Sequence, residues 1–235
     1  MEWYEEMDFD SNPFDKETKL IGFEDLLDEM LYAIVSGNMI FIEGESGSGK
    51  TKLLKEAIER FGGHGKVIYV NCKKIHNDLN IERLLKDRYG WFATAILNKK
   101  PRNMILLLDE VEHLSRKNSE RIKYYFDQNY VRSVVFSGRD MESAGLSDSL
   151  RHRIHKKLII KNLSDYEAVQ LVREKVGNEI ISDRIIKHIY KISGRNVKRF
   201  MENCEKVCKA TGKNKDLKEE EVDKIMEDNV TAVAI

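Results

Sequence analysis

Cysteine is scarce in this chain. The 235 residues hold three, Cys72, Cys204 and Cys208, too few for a disulfide framework, and such usage fits a reducing compartment. Cys204 and Cys208 stand four apart on an expected helix. No histidine or further cysteine completes a metal-ligand pattern beside them, so they read as half-buried thiols. Net charge is missing too: Lys+Arg and Asp+Glu each number 40, so the overall charge selects no partner and only its distribution can. No apolar run approaches the ~20 residues that span a bilayer, and no signal-peptide pattern opens the chain. These absences predict a soluble cytoplasmic protein with no membrane partner. The two prolines are Pro13, in a turn, and Pro101, ahead of a strand.

Glycine, by contrast, is concentrated where it matters. Gly44-Glu45-Ser46-Gly47-Ser48-Gly49-Lys50-Thr51 fits G-x-x-x-x-G-K-[ST], the phosphate-binding P-loop. Its context supports the match. Asn38–Ile42 is an apolar run of strand formers, and Lys52–Phe61 carries Leu53, Leu54, Ala57, Ile58 and Phe61 at helical spacing. The loop therefore joins a strand to a helix. Its glycines let backbone N–H groups turn inward toward phosphate oxygens, and the helix N-terminus adds partial positive charge. Lys50 is placed to meet the β- and γ-phosphates, and the Thr51 hydroxyl to ligate magnesium.

Further along, strands alternate with helices. Lys66–Val70, Met104–Leu108, Val131–Phe136 and Lys157–Ile160 read as strands. The continuously apolar Met104–Leu108 fits a strand buried on both faces of a parallel sheet. Phe23, Leu27, Met30 or Leu31, and Ile34 mark a helix before the first strand, 79–98 is mostly helical, and Asn118–Phe126 is another helix. The fold class is α/β, a doubly wound parallel sheet. After Lys161 only helices follow. One opens at Ser164 with Glu167 completing a capping box, one is capped by Ser182 or Asp183, and others span about 197–210 and 218–227. The expected division is 1–161, with an acidic, aromatic segment 1–15, and an all-helical part 162–235.

Ile105–Glu110, ILLLDE, has the form of a Walker B motif. An apolar strand carries its acids to the carboxyl end, where open α/β sheets bind ligands. Asp109 is the candidate magnesium holder and Glu110 the candidate for polarising an attacking water. Ser137, ending the fourth strand, is placed between the two Walker motifs, where it either contacts the γ-phosphate or water or merely ends a strand.

This order of P-loop, Asp-Glu Walker B, polar end of the fourth strand and helical segment resembles the AAA+ ATPases over nearly the whole chain, from about Asn12 to Met226. VIYVNC, residues 67–72, is similar to the second strand of the origin-recognition and replication-initiator branch. The resemblance implies ATP and Mg2+ as cofactors, a five-stranded sheet ordered 5-1-4-3-2, and a helical lid. It implies that Asn71 holds the Walker B glutamate in an inactive pose. Ser149–Ile154 resembles the segment carrying an arginine finger, with Arg153 the first candidate and Arg151 the second, supplied in trans within a homo- or hetero-oligomer. Ser193–Phe200 resembles the sensor-2 segment. Lys198 falls where arginine is usual, a departure that matters because lysine lacks arginine's planar fork, and Arg199 is the substitute.

The partner expected from the resemblance is DNA or a DNA-binding protein, in a replication-initiator-like or transposition-helper-like role. Between Arg151 and Arg199 basic residues outnumber acidic ones, which is either a nucleic-acid footprint or an ordinary basic surface. The winged-helix module common in that branch is missing from this sequence. The alternative is a nucleotide-dependent switch, or a protein-remodelling or signalling ATPase, with little turnover and no direct DNA contact.

Overall fold

The structure, a computed structural model, describes residues 2–61, 66–75, 79–89, 102–212 and 217–231. The chain divides into two compact units, one of Phe23–Lys161 and one of Met1–Gly22 with Asn162–Ile235.

The larger unit is built on five parallel strands, β1 (Met39–Glu43), β2 (Val67–Asn71), β3 (Met104–Asp109), β4 (Val131–Gly138) and β5 (Ile154–Ile159), in the order β2-β3-β4-β1-β5. This is the expected order 5-1-4-3-2 read from the other edge. Parallel neighbours need crossovers, and the helices α2 (Lys50–Arg60), α3 (Ile81–Tyr89) and α4 (Arg116–Asp127) lie in the connections, while α1 (Glu24–Val35) precedes β1. A short helix, α5 (Asp148–Arg151), precedes β5. The helix expected over 79–98 is described as far as Tyr89; its remainder lies outside the described residues, as do the glycine breaker at 62–65 and part of the polar loop at 211–218.

Alternation along the strands gives the sheet two faces. On one, Phe41, Ile68, Val70, Leu106, Leu108, Val134 and Phe136 pack with Leu79, Ile81 and Leu85 beneath α3 and Ile122 of α4. On the other, Ile40, Ile42, Leu107 and Val135 are buried, and α1 and α2 pack against this part of the sheet. Burying Leu53 and Leu54 completely, at roughly 1.5–3 kcal/mol each, fixes α2 and with it the orientation of Lys50 and Thr51. In α1 it is Met30 that is buried, and Leu31 is only half so. β5 starts three residues before its expected position, because His155, Lys156 and Lys157 are exposed on a sheet edge, and charge is how edge strands resist further pairing.

The second unit contains α6 (Asp165–Val176), α7 (Asp183–Ile192), α8 (Val197–Thr211) and α9 (Glu219–Thr231). Ser164 and Glu167 form the capping box. Ser182 precedes α7 without a side-chain cap bond, and Asn196 caps α8 by accepting from Arg199 N–H at 3.1 Å. Tyr190 and Phe200 meet edge to face at 4.9 Å, and the Tyr190 hydroxyl donates to the Leu163 carbonyl at 3.0 Å. Cys204 and Cys208 are fully buried rather than half-buried, since they lie on the inner side of α8 with Phe200 and Val207.

The amino-terminal segment groups with these helices and not with the α/β unit, unlike the division at 1–161. Aromatic and polar contacts explain it. Lys209 Nζ sits 5.8 Å from the Trp3 ring centroid, Lys175 donates to the Phe14 carbonyl at 2.9 Å, and Asn12 donates to Glu205 at 2.9 Å. Among the described residues no helix is long and apolar enough to cross a membrane.

Candidate nucleotide-binding site

The loop 44–51 leaves β1 and runs directly into α2, whose first residue is Lys50. Gly47 and Gly49 adopt φ of 79° and 109°, a region that glycine enters without steric cost. Gly44 is needed for closeness instead: a Cβ there would lie 2.8 Å from Ser48 Oγ and 3.1 Å from Ile160 Cβ. Lys50 folds back into the loop, donating to the Gly44 carbonyl at 2.5 Å and the Glu45 carbonyl at 2.8 Å. Burial pushes its ammonium below its ordinary pKa, and Glu112, Asp109, Glu45 and Glu110 oppose this less strongly. Among the described residues the buried Ser48 hydroxyl has no hydrogen-bond partner, an unmet group in a loop lined by backbone amides and one cation. That combination fits phosphate.

Asp109 ends β3 fully buried. Strand register brings the rest of the site to it: Asp109 is opposite Asn71 of β2, and Leu107, two residues back, is opposite Tyr69 on one side and Val135 on the other. Alternation then puts Tyr69, Asn71, Asp109 and Ser137 on one face. The Asp109 carboxylate accepts from four donors. Thr51 Oγ1 at 2.6 Å and Tyr69 Oη at 3.0 Å meet Oδ2, while the Glu110 N–H at 3.0 Å and Ser137 Oγ meet Oδ1. Burial, with Asp109 second, pushes Tyr69 up to about 12, so it remains a donor. A hydroxyl and a carboxylate meeting at a helix N-terminus beside a phosphate loop are the hard oxygen donors that Mg2+ takes.

Glu110 follows with φ 52° and ψ 50°, a left-handed conformation uncommon for a side chain of this size. Its carboxylate has no hydrogen bond or ion pair among the described residues. Asn71 does not bond to it. The Asn71 side chain instead accepts from Lys74 N–H at 3.3 Å, capping a one-turn 3-10 helix over Cys72–Lys74. Ser137 is bound to Asp109 and fully buried.

The two finger candidates differ in what holds them. Arg151 is tied into its own loop, donating to the Glu142 and Ala144 carbonyls at 2.9 and 3.3 Å and pairing with Glu142 at 3.4 Å. Arg153 is 53% exposed and pairs with Asp127 at 3.3 Å. Lys198 and Arg199 lie in the first turn of α8, in the helical unit, where Lys198 is exposed and reaches Glu202 at 3.8 Å. Tyr69 and Glu112 join the site without a motif of their own in the sequence. Tyr69 sits two residues before Asn71, so strand period alone places both on one face. Glu112 is the strongest of the acids acting on Lys50 and also accepts the Arg139 N–H; it stands two residues past the Walker B pair.

A P-loop leaving β1 and an acid ending β3, with β4 between these two strands in an all-parallel sheet, define a P-loop nucleotide-binding protein. A protein-family model described as the AAA domain matches residues 36–168, and the chain belongs to that family. No curated protein sequence matches it. Its fold is similar to domain III of the Thermotoga maritima replication initiation protein DnaA, with TM-score 0.63 and 18% identity over 92% of this chain and 95% of that one. It is similar to the Aeropyrum pernix ORC1 protein, solved in complex with DNA, with TM-score 0.64 and 14% identity over 90% and 66%. The Thermotoga maritima RuvB Holliday junction branch migration motor gives 0.60 and 17% over 88% and 69%. At these identities the likeness is one of fold alone.

Proposed function

We propose that this protein binds ATP with Mg2+ at residues 44–51 and hydrolyses it as part of an oligomer engaged in a DNA transaction. The observation carrying the nucleotide reading is the 2.6 Å bond between Thr51 and Asp109, which joins the two Walker motifs from 58 residues apart. Thr51 and Asp109 would hold the magnesium ion, which neutralises charge on the phosphate oxygens when bound. Lys50 leaves the Gly44 and Glu45 carbonyls for phosphate, and the orphaned Ser48 hydroxyl gains an acceptor. Glu110, whose carboxylate is uncommitted, orients the water and takes its proton. Arg153, exposed and paired with Asp127, supplies positive charge to a neighbouring subunit's nucleotide; in other hydrolases such a finger is worth roughly 10³–10⁵ in rate. In this reading α6–α9 act as the lid and Lys198 or Arg199 as its cation.

The DNA part draws on the family, on the three named fold relatives and on the basic balance of residues 151–199. Phosphate release by the native protein and by Glu110→Gln, with nucleotide affinity measured for both, tests hydrolysis. The variant should bind ATP and release no phosphate, and equal turnover would refute the role of Glu110. Binding of duplex and single-stranded DNA across a salt series, with ATP and with ADP, tests the partner. Direct contact predicts a log–log slope of about −0.9 per duplex phosphate neutralised, and no binding at low salt would leave DNA reached only through another protein.

A further inference from the structure

The carboxylate of Asp109 has no acceptor capacity left. Two ionised oxygens offer about four lone-pair positions, and Thr51, Tyr69, the Glu110 N–H and Ser137 fill them. A metal ion, or a water bound to one, needs one of these positions. The donors differ in their freedom to withdraw. The Glu110 N–H belongs to the backbone at the end of β3 and cannot turn. Ser137 is fully buried on β4 with a one-carbon side chain, so it has nowhere else to donate. Thr51 can offer a lone pair to a metal while its proton stays on Asp109. Tyr69 alone is half-buried, has a hydroxyl that rotates about its own C–O bond, and makes the longer of the two bonds to Oδ2.

We propose that the Tyr69 hydroxyl competes with Mg2+ for Oδ2 of Asp109, so that metal loading at this site requires Tyr69 to release its hydrogen bond. Tyr69 is thus a positioning residue that sets the magnesium concentration at which the nucleotide complex forms. It holds the carboxylate in place while the site is metal-free and gives way when the ion arrives. The inference rests on the nucleotide reading above and deepens it.

The test is nucleotide binding in EDTA, followed by magnesium titration at fixed nucleotide, for the native protein and Tyr69→Phe. Binding of a fluorescent ATP analogue in EDTA gives each protein its own metal-free baseline. The half-saturating magnesium concentration should fall roughly three- to tenfold in the variant, the worth of one hydrogen bond. An unchanged requirement, or a raised one meaning that the hydroxyl braces the ligand, overturns the proposal. If neither protein binds nucleotide in any condition, the nucleotide reading fails and this inference with it; binding without a change in magnesium requirement removes this inference alone. Should Tyr69→Phe fold poorly, 3-fluorotyrosine at position 69 gives a second readout. Its ¹⁹F resonance should shift when magnesium joins the nucleotide complex, and a stationary resonance overturns the proposal.

Discussion

Replacing Asp109 by asparagine and by alanine separates what its carboxylate does for the fold from what it does for a metal. In Asp109→Ala all four donors lose their acceptor. Thr51 is exposed and Tyr69 half-buried, so both hydroxyls reach water. Ser137 Oγ and the Glu110 N–H are the ones stranded, and at about 1–3 kcal/mol for each buried unsatisfied group the loss is about 2–6 kcal/mol. In Asp109→Asn the amide has one sensible orientation. The Glu110 N–H cannot become an acceptor, so the oxygen must take the Oδ1 place and the NH₂ group the Oδ2 place. The Thr51 and Tyr69 hydroxyls then turn to accept, and only charge assistance is lost, about 1–2 kcal/mol. Urea unfolding without nucleotide should therefore rank native above Asn above Ala, and both variants should lose any tightening of ATP binding by Mg2+. Active-site carboxylates often destabilise the proteins that carry them. If either variant is more stable than the native protein, the four-donor account is wrong; if magnesium still tightens binding in Asp109→Asn, Asp109 is not its ligand.

Lys50→Ala removes the cation folded into the loop and should weaken ATP binding at least tenfold in a fluorescence titration, with no loss of helix content by circular dichroism. Turnover per subunit should rise with protein concentration, and mixing Arg153→Ala with Glu110→Gln subunits should restore part of the activity that neither has alone; a concentration-independent monomeric ATPase would rule out a finger in trans. Burial pushes the Cys72 and Cys208 thiols up to about 12 from an ordinary value near 9, and Cys204 upward as well. Native protein at pH 8.5 should therefore resist a thiol reagent that labels all three cysteines in denaturant. Because these thiols ionise more readily unfolded than folded, they withdraw stability as pH climbs above about 9 toward 12, and a stability curve flat over that range would contradict their burial.

Much of the fold was legible because its signals are local. The run before Gly44, the helical spacing after it and the continuous apolarity of Met104–Leu108 each announce an element without help from the rest of the chain. Ser164 and Glu167 announce a helix start in the same way. Less legible was whatever depends on register between distant strands. Tyr69 meets Asp109 only because β2 and β3 pair in step, and nothing within five residues of Tyr69 says so. Asn71, expected to restrain Glu110, uses its side chain on a turn at its own strand's exit and on the Tyr69 hydroxyl, local competitors that polar side chains at strand ends often find. The amino terminus misled for a related reason. Its aromatics advertise docking, but Lys209 over the Trp3 ring and Lys175 on the main-chain carbonyls of Phe14 and Lys16 both stand beyond residue 170.

The strand order also sets a timetable for synthesis. β1, which holds the start of the phosphate loop, has β4 and β5 as its neighbours and not β2. A chain emerging from the ribosome carries Gly44–Thr51 early, yet the strands that flank β1 appear only when residues 131–138 and 154–159 have been made. At usual rates the first of them follows β1 by roughly 5–20 s. During that interval the glycine-rich segment has no sheet to hold its shape and Lys50 has no Asp109 or Glu112 beside it, so a nascent or truncated chain that stops short of β4 carries the full P-loop sequence without the cradle that gives it meaning.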